Sequence, residues 1–465
     1  MKKALVFTLC LLTTFALFAN GKTESAQKST APLAFWEHFE TFSKMNAALF
    51  AEEKAEKGLE VEYSLISPDK MIDSLYVAYR SNQLPDIFSS CFESGAFQLF
   101  VENWIQPMTV GIDSFSEDIQ NQLFDGLTTK DGKLYSLPLF SQNHCALMFY
   151  HPSMVKDVPE TYEEFYRECK RIFEESDGKV YGLVLPMAFA ARMNETFSYL
   201  ADAAGNPVIN WNTGEYEWDS NEMLELFRLL TKMWDEGLIM PSSVNFNMKE
   251  ARERWAAGEA AFLIDGIWNV GITKRNFMPE LNDFAVCEPI TPDGEDHMIY
   301  INPSNGTYFI SSTSNYSEEA TDILMKMIGE DFQTKIANVM DQPPFNLSVL
   351  ETANVAQAYR DSVEIFTKTM GVKPYLGLRS IDALQIEGNM KTVSPTPCEI
   401  LNGYFAGAVK DWEGALRTYN DQMAITRNES IKKCQSLGYK VSLDDYIFPN
   451  FVYGESYTSD KYAEL

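Results

Sequence analysis

Aromatic and polar residues follow apolar, strand-like runs at four places in this sequence. Indole faces can stack on the apolar faces of sugar rings, and carboxylates and amides can hydrogen-bond to hydroxyl groups. In open α/β sheets, ligands bind outside the carboxyl ends of the strands. The residues predicted on this basis to contact a small ligand are Trp36, Glu37, Ser90, Glu93, Ser141, Asn143, Asp265 and Trp268. The alternative is that each tryptophan packs in a core and each polar group caps a helix.

The sequence lacks the common catalytic and metal-binding motifs. No G-x-S-x-G is present, and no G-x-G-x-x-G follows a strand-like run. The four histidines are not in H-x-x-x-H or H-E-x-x-H spacing, and no two cysteines form C-x-x-C. These spacings are what zinc sites and many active sites require. We therefore predict no catalytic residue, no metal and no cofactor.

Length and charge narrow the class of protein further. A chain of 465 residues is too long for one compact core, so two domains are expected. The 66 acidic residues against 38 basic residues give a formal net charge of −28. Nucleic acid is therefore not an expected partner, because phosphate contacts need clustered cations.

The N-terminus is typical of a secretory signal peptide. Lys2 and Lys3 precede the apolar run "ALVFTLCLLTTFALFA", which ends at Ala19 and is followed by small polar residues. The run is short for a membrane span. We predict residues 1–19 to be the signal peptide. The alternatives are a membrane anchor and a lipoprotein, for which Cys10 stands in a poor context.

The six remaining cysteines leave their pairing open. In an exported protein some of them could form disulfides, and their spacing does not say which. Buried free thiols and one or two disulfides are equally consistent with the sequence. The six are Cys91, Cys145, Cys169, Cys287, Cys398 and Cys434.

The elements that must position these side chains alternate between strands and helices. The first part of the chain predicts parallel strands with right-handed crossovers. Its elements are a strand-like run at 33–36, a helix ending before Gly58, a strand at 59–66, a helix from Pro68 and a strand at 85–90. Later helices carry N-caps at Thr161, at Asp219 or Ser220, and at Ser317. Strands are expected at 180–186, 260–266, 283–290 and 306–312. The absence of a linker-like stretch indicates two interleaved lobes.

The stretch "DGKLYSLPLFSQNHCALMFYHPSMV" (131–155) permits two interpretations. Taken alone, it is typical of a hairpin with an unusually polar turn. Taken with its neighbours, Leu134 to Leu139 ends the first lobe, Ser141 to His144 crosses, and Ala146 to Tyr150 begins the second lobe. We prefer the second interpretation.

Six motifs in order resemble the family 1 extracellular solute-binding proteins of ABC transporters, the sugar-binding group that includes maltose-binding protein. They are "LAFWEHFE", "LPDIF", the 131–155 stretch, "VPETYEEFYRECKRI", "AAGEAAFLIDGIW" and "PSNGTYFISSTSNYSEEATDILMKMI". The resemblance covers nearly all of the mature chain. His151 stands where the family has Asn, Tyr162 where it has Trp, and the lipoprotein cysteine is missing.

The resemblance implies an α/β protein with the two-lobe periplasmic binding protein fold (type II), in which crossing hinge segments join the lobes around a ligand cleft. It implies a first lobe of 20–143 plus 284–332 and a second lobe of 144–283 plus 333–465. It also adds Arg192 and Tyr404 to the predicted ligand contacts.

The function that the resemblance implies is import of a mono- or oligosaccharide. The predicted partners are the solute and the transmembrane permease subunits, and the protein is expected to be a periplasmic monomer rather than an enzyme. Two alternatives stay open: an exported carbohydrate-active enzyme, and a signalling receptor for a non-sugar solute. The carboxylates Glu37, Glu93 and Asp265 leave a cationic ligand possible.

Overall fold

The computed structural model describes residues 31–89, 97–120, 122–277, 284–295 and 297–465. The predicted signal peptide, Ser90 and Glu93 lie outside these residues. Within them, two separate central sheets each carry apolar cores on both faces. The expected α/β class with two lobes is confirmed.

The first lobe is built on a five-stranded sheet. Its elements are β1 (Leu33–Glu37), α1 (Ser43–Lys57), β2 (Val61–Leu65), α2 (Pro68–Arg80), β3 (Ile87–Ser89), α3 (Phe97–Val101), β4 (Ile105–Gln106), α4 (Glu117–Gln120), β5 (Thr129–Lys130) and β6 (Lys133–Leu134). The chain later returns for a further strand and two helices, which are β14 (Tyr308–Ser311), α10 (Ser317–Met327) and α11 (Glu330–Val339). The strand order is β2-β1-β3-β14-β4, with β1 parallel to β2 and β3 and with β14 antiparallel to its neighbours.

The second lobe is built on a four-stranded sheet. Its elements begin with β7 (Leu147–Tyr150), α5 (Tyr162–Glu175), β8 (Tyr181–Val184), α6 (Ala190–Ala203), β9 (Ile209–Asn210), β10 (Glu215–Tyr216), α7 (Asn221–Asp235), α8 (Met248–Ala256), β11 (Ala260–Asp265), α9 (Trp268–Ile272), β12 (Ala285–Cys287) and β13 (Ile299–Ile301). They continue with α12 (Gln357–Thr369), β15 (Met370–Val372), α13 (Leu376–Arg379), α14 (Leu384–Asn389), α15 (Pro397–Phe405), α16 (Trp412–Ser436) and α17 (Ser459–Tyr462). The strand order is β12-β7-β11-β8, and β11 is parallel to β8 and antiparallel to β7. None of the described helices is both long and apolar enough to cross a membrane.

Local sequence signals explain several element boundaries. α5 begins at a capping box, in which the Thr161 hydroxyl accepts the Glu164 N–H and the Glu164 carboxylate accepts the Thr161 N–H. α1 ends at Gly58, whose φ of 69° lies in the left-handed region that favours glycine. These boundaries depend only on residues near in sequence, which is why the sequence predicts them.

One predicted cap is wrong. Ser317 is the first residue of α10 rather than its N-cap, and the N-cap position is held by Tyr316. The Ser317 hydroxyl donates instead to the Gln106 side-chain oxygen at 2.8 Å, on the neighbouring β4. A tertiary hydrogen bond therefore replaces the expected local one.

Crossing segments join the lobes side by side. Phe140 forms an antiparallel bridge with Pro344, and the Ser141 amide donates to the Pro343 carbonyl at 3.0 Å. Leu139 packs in the hydrophobic core of the first lobe, whereas β7 pairs within the sheet of the second lobe. The 131–155 stretch is therefore not a hairpin between its two apolar runs.

The predicted return to the first lobe near residue 284 is too early. β12 pairs antiparallel with β7 in the second sheet, and β13 pairs with β15. After β13, the Thr307 amide donates to the Leu137 carbonyl of the first lobe at 3.1 Å. The sequence of a strand does not specify a distant partner, so the run at 283–290 did not reveal which sheet it joins. We propose a return at 302–307, and the other predicted lobe limits stay predictions.

The five described cysteines are all free thiols. They are Cys145, Cys169, Cys287, Cys398 and Cys434, of which all but Cys287 are buried. Burial raises the pKa of the Cys145 thiol to about 11 and that of Cys398 to about 12. These groups are therefore neutral thiols at physiological pH, which makes them poor nucleophiles.

We expect the Asp202→Asn variant to be more stable than the parent protein at pH 8, and to show little or no such gain at pH 4. Asp202 Oδ2 accepts the Tyr300 N–H at 3.0 Å, and burial raises the pKa of this carboxyl to about 7. The folded protein therefore holds a proton that the unfolded chain releases above about pH 4, so stability falls as the pH rises towards 7. An amide keeps the acceptor without the charge, which gives a gain of about 2 kcal/mol at pH 8.

Urea unfolding of both proteins between pH 4 and pH 8 measures this effect. Asp421→Asn, at an exposed position of α16, provides the control and should leave the pH dependence unchanged. A variant at Asp202 whose stability runs parallel to that of the parent protein across this range would contradict the prediction.

Candidate functional site

The carboxyl ends of β8 and β11 lie at the same edge of the second sheet, because the two strands are parallel neighbours. β11 ends at Asp265 and leads directly into α9, which begins at Trp268. β8 leads through Phe189 into α6, which carries Arg192. Three of the predicted residues, Arg192, Asp265 and Trp268, are thereby brought together.

Asp265 organises this edge. Its buried carboxylate accepts two hydrogen bonds from Arg252 of α8, at 2.6 Å and 3.1 Å. It also accepts the Gly266 N–H at 2.8 Å and the Trp268 Nε1–H at 2.9 Å. A bidentate arginine–carboxylate pair fixes geometry as well as charge. Asp265 therefore holds the indole in one orientation rather than facing solvent itself.

The Trp268 indole contacts both a glycine and a guanidinium. A Cβ placed on Gly266 would come within 2.4 Å of the ring, so the close approach requires glycine there. The Arg192 guanidinium lies 4.9 Å from the ring centroid, in the range of a cation–π contact, and is ion-paired with Glu195 at 2.8 Å. Trp268 stays partly exposed. The arrangement offers a ligand one fixed aromatic surface with an adjoining cation.

In the first lobe, Glu37 is buried at the end of β1. Its carboxylate accepts the amide N–H groups of His38 and Phe39 at 2.8 Å and 2.9 Å. It also accepts hydrogen bonds from Asn46 at 3.1 Å and from the Tyr308 hydroxyl at 2.5 Å. Burial raises the pKa of this carboxyl above its ordinary value. Glu37 is fully engaged within the lobe, so we infer that it positions the following loop.

Trp36 lies on the opposite face of the same strand. Side chains alternate along a strand, so consecutive residues cannot share a face. Trp36 packs against the apolar cluster on the other side of the first sheet. It also lines a groove of about 540 Å³ along α2, together with Lys70 and Ser74. Trp36 and Glu37 therefore point to opposite faces of β1, and their contact with a ligand stays a prediction.

Ser141 and Asn143 lie in the crossing segments. The Ser141 hydroxyl donates to the Pro344 carbonyl at 2.9 Å, and the Asn143 amide donates to Gln342 Oε1 at 2.8 Å. Both side chains therefore tie the crossing segment at 141–143 to the crossing segment at 342–344. His144 is buried beside them, and burial lowers its pKa to about 3, so it is neutral at physiological pH.

Of the remaining predicted residues, only Tyr404 is described, and it hydrogen-bonds outside the second-lobe cluster. Ser90 and Glu93 lie outside the described residues. The Tyr404 hydroxyl donates to Asp235 of α7 at 2.8 Å, which ties two helices together. Their role in ligand binding stays a prediction.

Two candidate positions were missed from the sequence. Phe189 follows β8 and is 45% exposed, which is unusual for a phenylalanine. His38 follows Glu37, and its Nδ1 lies 2.6 Å from the Ser89 hydroxyl at the end of β3. Burial lowers the pKa of His38 to about 4, so its ring is neutral. The strand-end rule that selected Trp36 would have selected both residues.

Two α/β lobes of this topology, joined by crossing segments, define the class of two-lobe solute-binding proteins. The chain belongs to the bacterial extracellular solute-binding proteins, whose family model matches residues 36–334. The sequence-based family assignment and the type II fold are thus confirmed. No curated protein matches the chain in sequence.

Solved structures of this family share the fold at low sequence identity. The sugar-binding protein MalE of Xanthomonas citri is 14% identical, with a TM-score of 0.62 over 88% of this chain and 100% of that one. The GacH receptor of Streptomyces glaucescens, solved unliganded and with acarbose, is 15% identical, with a TM-score of 0.61 over 85% and 98%. A solute-binding protein of Thermotoga lettingae, solved with α-D-tagatose, is 16% identical, with a TM-score of 0.59 over 87% and 100%.

Proposed function

We propose that this protein is the exported substrate-binding component of an ABC importer. It binds a mono- or oligosaccharide between its lobes and delivers it to a membrane permease, without making or breaking a covalent bond. The family membership supports a solute receptor, and the solved relatives named with acarbose and tagatose support a saccharide. The signal-like N-terminus supports a periplasmic location, and the net charge of −28 supports a soluble monomer.

The observation that carries the saccharide proposal is the fixed indole of Trp268. Its nitrogen is held by Asp265, and Arg192 adjoins its ring. A rigid aromatic surface loses little conformational freedom on binding, and it can pack against the C–H face of a pyranose ring. The Arg192 guanidinium, which lies over the ring, can hydrogen-bond to the hydroxyl groups of a sugar bound beside it. Closure of the lobes on the ligand then shifts the population towards the form that the permease recognises.

Replacing Trp268 with alanine should weaken saccharide binding at least tenfold, which is about 1.4 kcal/mol. Titration calorimetry of the purified mature protein against a panel of mono- and oligosaccharides measures the effect. Tyr453→Ala provides a control, because this exposed tyrosine lies in a turn near the C-terminal end of the chain. Absence of binding by every saccharide would refute the sugar assignment and leave the family assignment intact. Appearance of a hydrolysed product would favour the enzyme alternative.

A further inference from the structure

A large groove lies at the edge of the second sheet, separate from the strand ends that hold Trp268. Its volume is about 680 Å³. One wall is the loop 158–160, the other is a face of α12, and the floor is 286–289, which belongs to β12 and the residues after it. Thr291 and the residues after it close one end. We call this feature the β12 groove.

Part of the floor is β12, which is an edge strand of the second sheet as far as the structure describes it. β12 stands last in the strand order and pairs on one side only, with β7. Among the described residues, no backbone group pairs with its outer side. Val286 packs into the core beneath α12, and Cys287 packs against the core on the opposite face. The edge is therefore framed by a layer of structure on each side, with the groove along its outer side.

Such an edge is suited to accept an additional strand. The unpaired N–H and C=O groups of an edge strand are a template for an extended peptide, and flanking pockets select its alternate side chains. Neighbouring strands lie about 4.8 Å apart, so a docked peptide would run directly between the two walls. The apolar floor, with Val286 and Pro289, would take side chains that point inwards.

The walls of the groove carry an excess of negative charge. Its acidic residues are Glu160, Glu288, Glu295, Asp361 and Glu364. Its single basic residue, Lys368, is ion-paired with Glu288 at 2.9 Å. Glu160 and Glu364 are exposed and stand on opposite walls. A ligand in the groove would therefore lie between the Glu160 carboxylate on one wall and those of Asp361 and Glu364 on the other.

We propose that the β12 groove docks an extended, lysine- or arginine-bearing segment of a partner protein. The segment adds to the outer edge of β12, and its basic side chains contact the carboxylates of both walls. The charge of the groove selects against the other occupants. A second copy of this chain carries a net charge of −28, and nucleic acid and anionic lipid carry the same sign. The inference does not depend on the identity of the solute.

A capped peptide of alternating lysine and valine, six residues long, provides the probe. Its binding to the purified mature protein is measured by calorimetry at low salt. We expect the double variant Glu160→Lys, Glu364→Lys to lose at least tenfold in affinity, because attraction on both walls becomes repulsion. The control Glu174→Lys, Asp421→Lys changes the net charge by the same amount at exposed positions elsewhere, and it should bind like the parent protein.

A second peptide separates strand addition from simple charge attraction. The same sequence with N-methylated amides keeps every lysine but cannot donate to the strand edge, so it should bind at least tenfold more weakly. The corresponding glutamate–valine peptide should not bind. The proposal is overturned if the lysine peptide does not bind, if the groove variant and the control variant bind it equally, or if N-methylation leaves its affinity unchanged.

Discussion

Replacing Asp265 with alanine should lower the free energy of unfolding by about 3 kcal/mol and remove measurable saccharide binding. The carboxylate is buried and neutralises Arg252, whose side chain is only 12% exposed. Its removal leaves a guanidinium with little access to water and without its partner. The same change removes the acceptor of the Trp268 indole N–H, so the aromatic surface loses its orientation. Urea unfolding and calorimetry measure the two consequences independently.

The double variant Asp265→Ala, Arg252→Met separates the two effects. Removal of both charges from a buried pair is often close to neutral for stability, so most of the lost stability should return. Binding should stay weak, because the indole nitrogen still has no acceptor. If Asp265→Ala unfolds within 1 kcal/mol of the parent protein, the carboxylate does not have the structural role assigned to it. If the double variant binds normally, the orientation of Trp268 does not depend on Asp265.

The elements of this fold could be predicted because their signals are local. The capping box at Thr161, the left-handed Gly58 and the apolar run at 33–36 each involve residues within a few positions of one another. The sheet joined by β12 could not be predicted in the same way. Its partner β7 lies more than a hundred residues earlier, and its short apolar run fits either lobe. Strand pairing is decided by the tertiary packing of distant elements.

The candidate site shows the same division. The rule that ligands bind at strand ends selected Asp265 and Trp268, which the structure places in contact, and their binding of a ligand stays a prediction. It did not reveal Arg252, because no motif marks an arginine on a preceding helix as the partner of a strand-end carboxylate. It also could not separate the faces of β1, where Trp36 and Glu37 point in opposite directions. The sequence does not show which of these side chains are buried, because burial depends on the complete fold.

Replacing Glu37 with alanine should lower the free energy of unfolding by about 3 kcal/mol. Four hydrogen-bond donors converge on this carboxylate: the buried Asn46 and Tyr308 side chains and the partly buried His38 and Phe39 amides. Alanine leaves the donors without an acceptor and also leaves a cavity. The loop that starts at His38 then loses the two amide contacts that fix it against the strand. Saccharide affinity should fall with it, because Phe39 of this loop packs against Phe140 of the crossing segment.

Glu37→Gln decides whether the side chain positions the loop or contacts the ligand. The glutamine oxygen can keep both amide contacts, and the Tyr308 hydroxyl can rotate to accept a hydrogen bond. Asn46 can turn its amide, since its side-chain oxygen is buried without a partner in the described structure. A neutral glutamine also avoids the cost of burying a charge, which is what raises the pKa of the Glu37 carboxyl. We therefore expect stability within about 1 kcal/mol of the parent protein and unchanged affinity. A glutamine variant of normal stability that no longer binds would show instead that Glu37 contacts the solute through its charge.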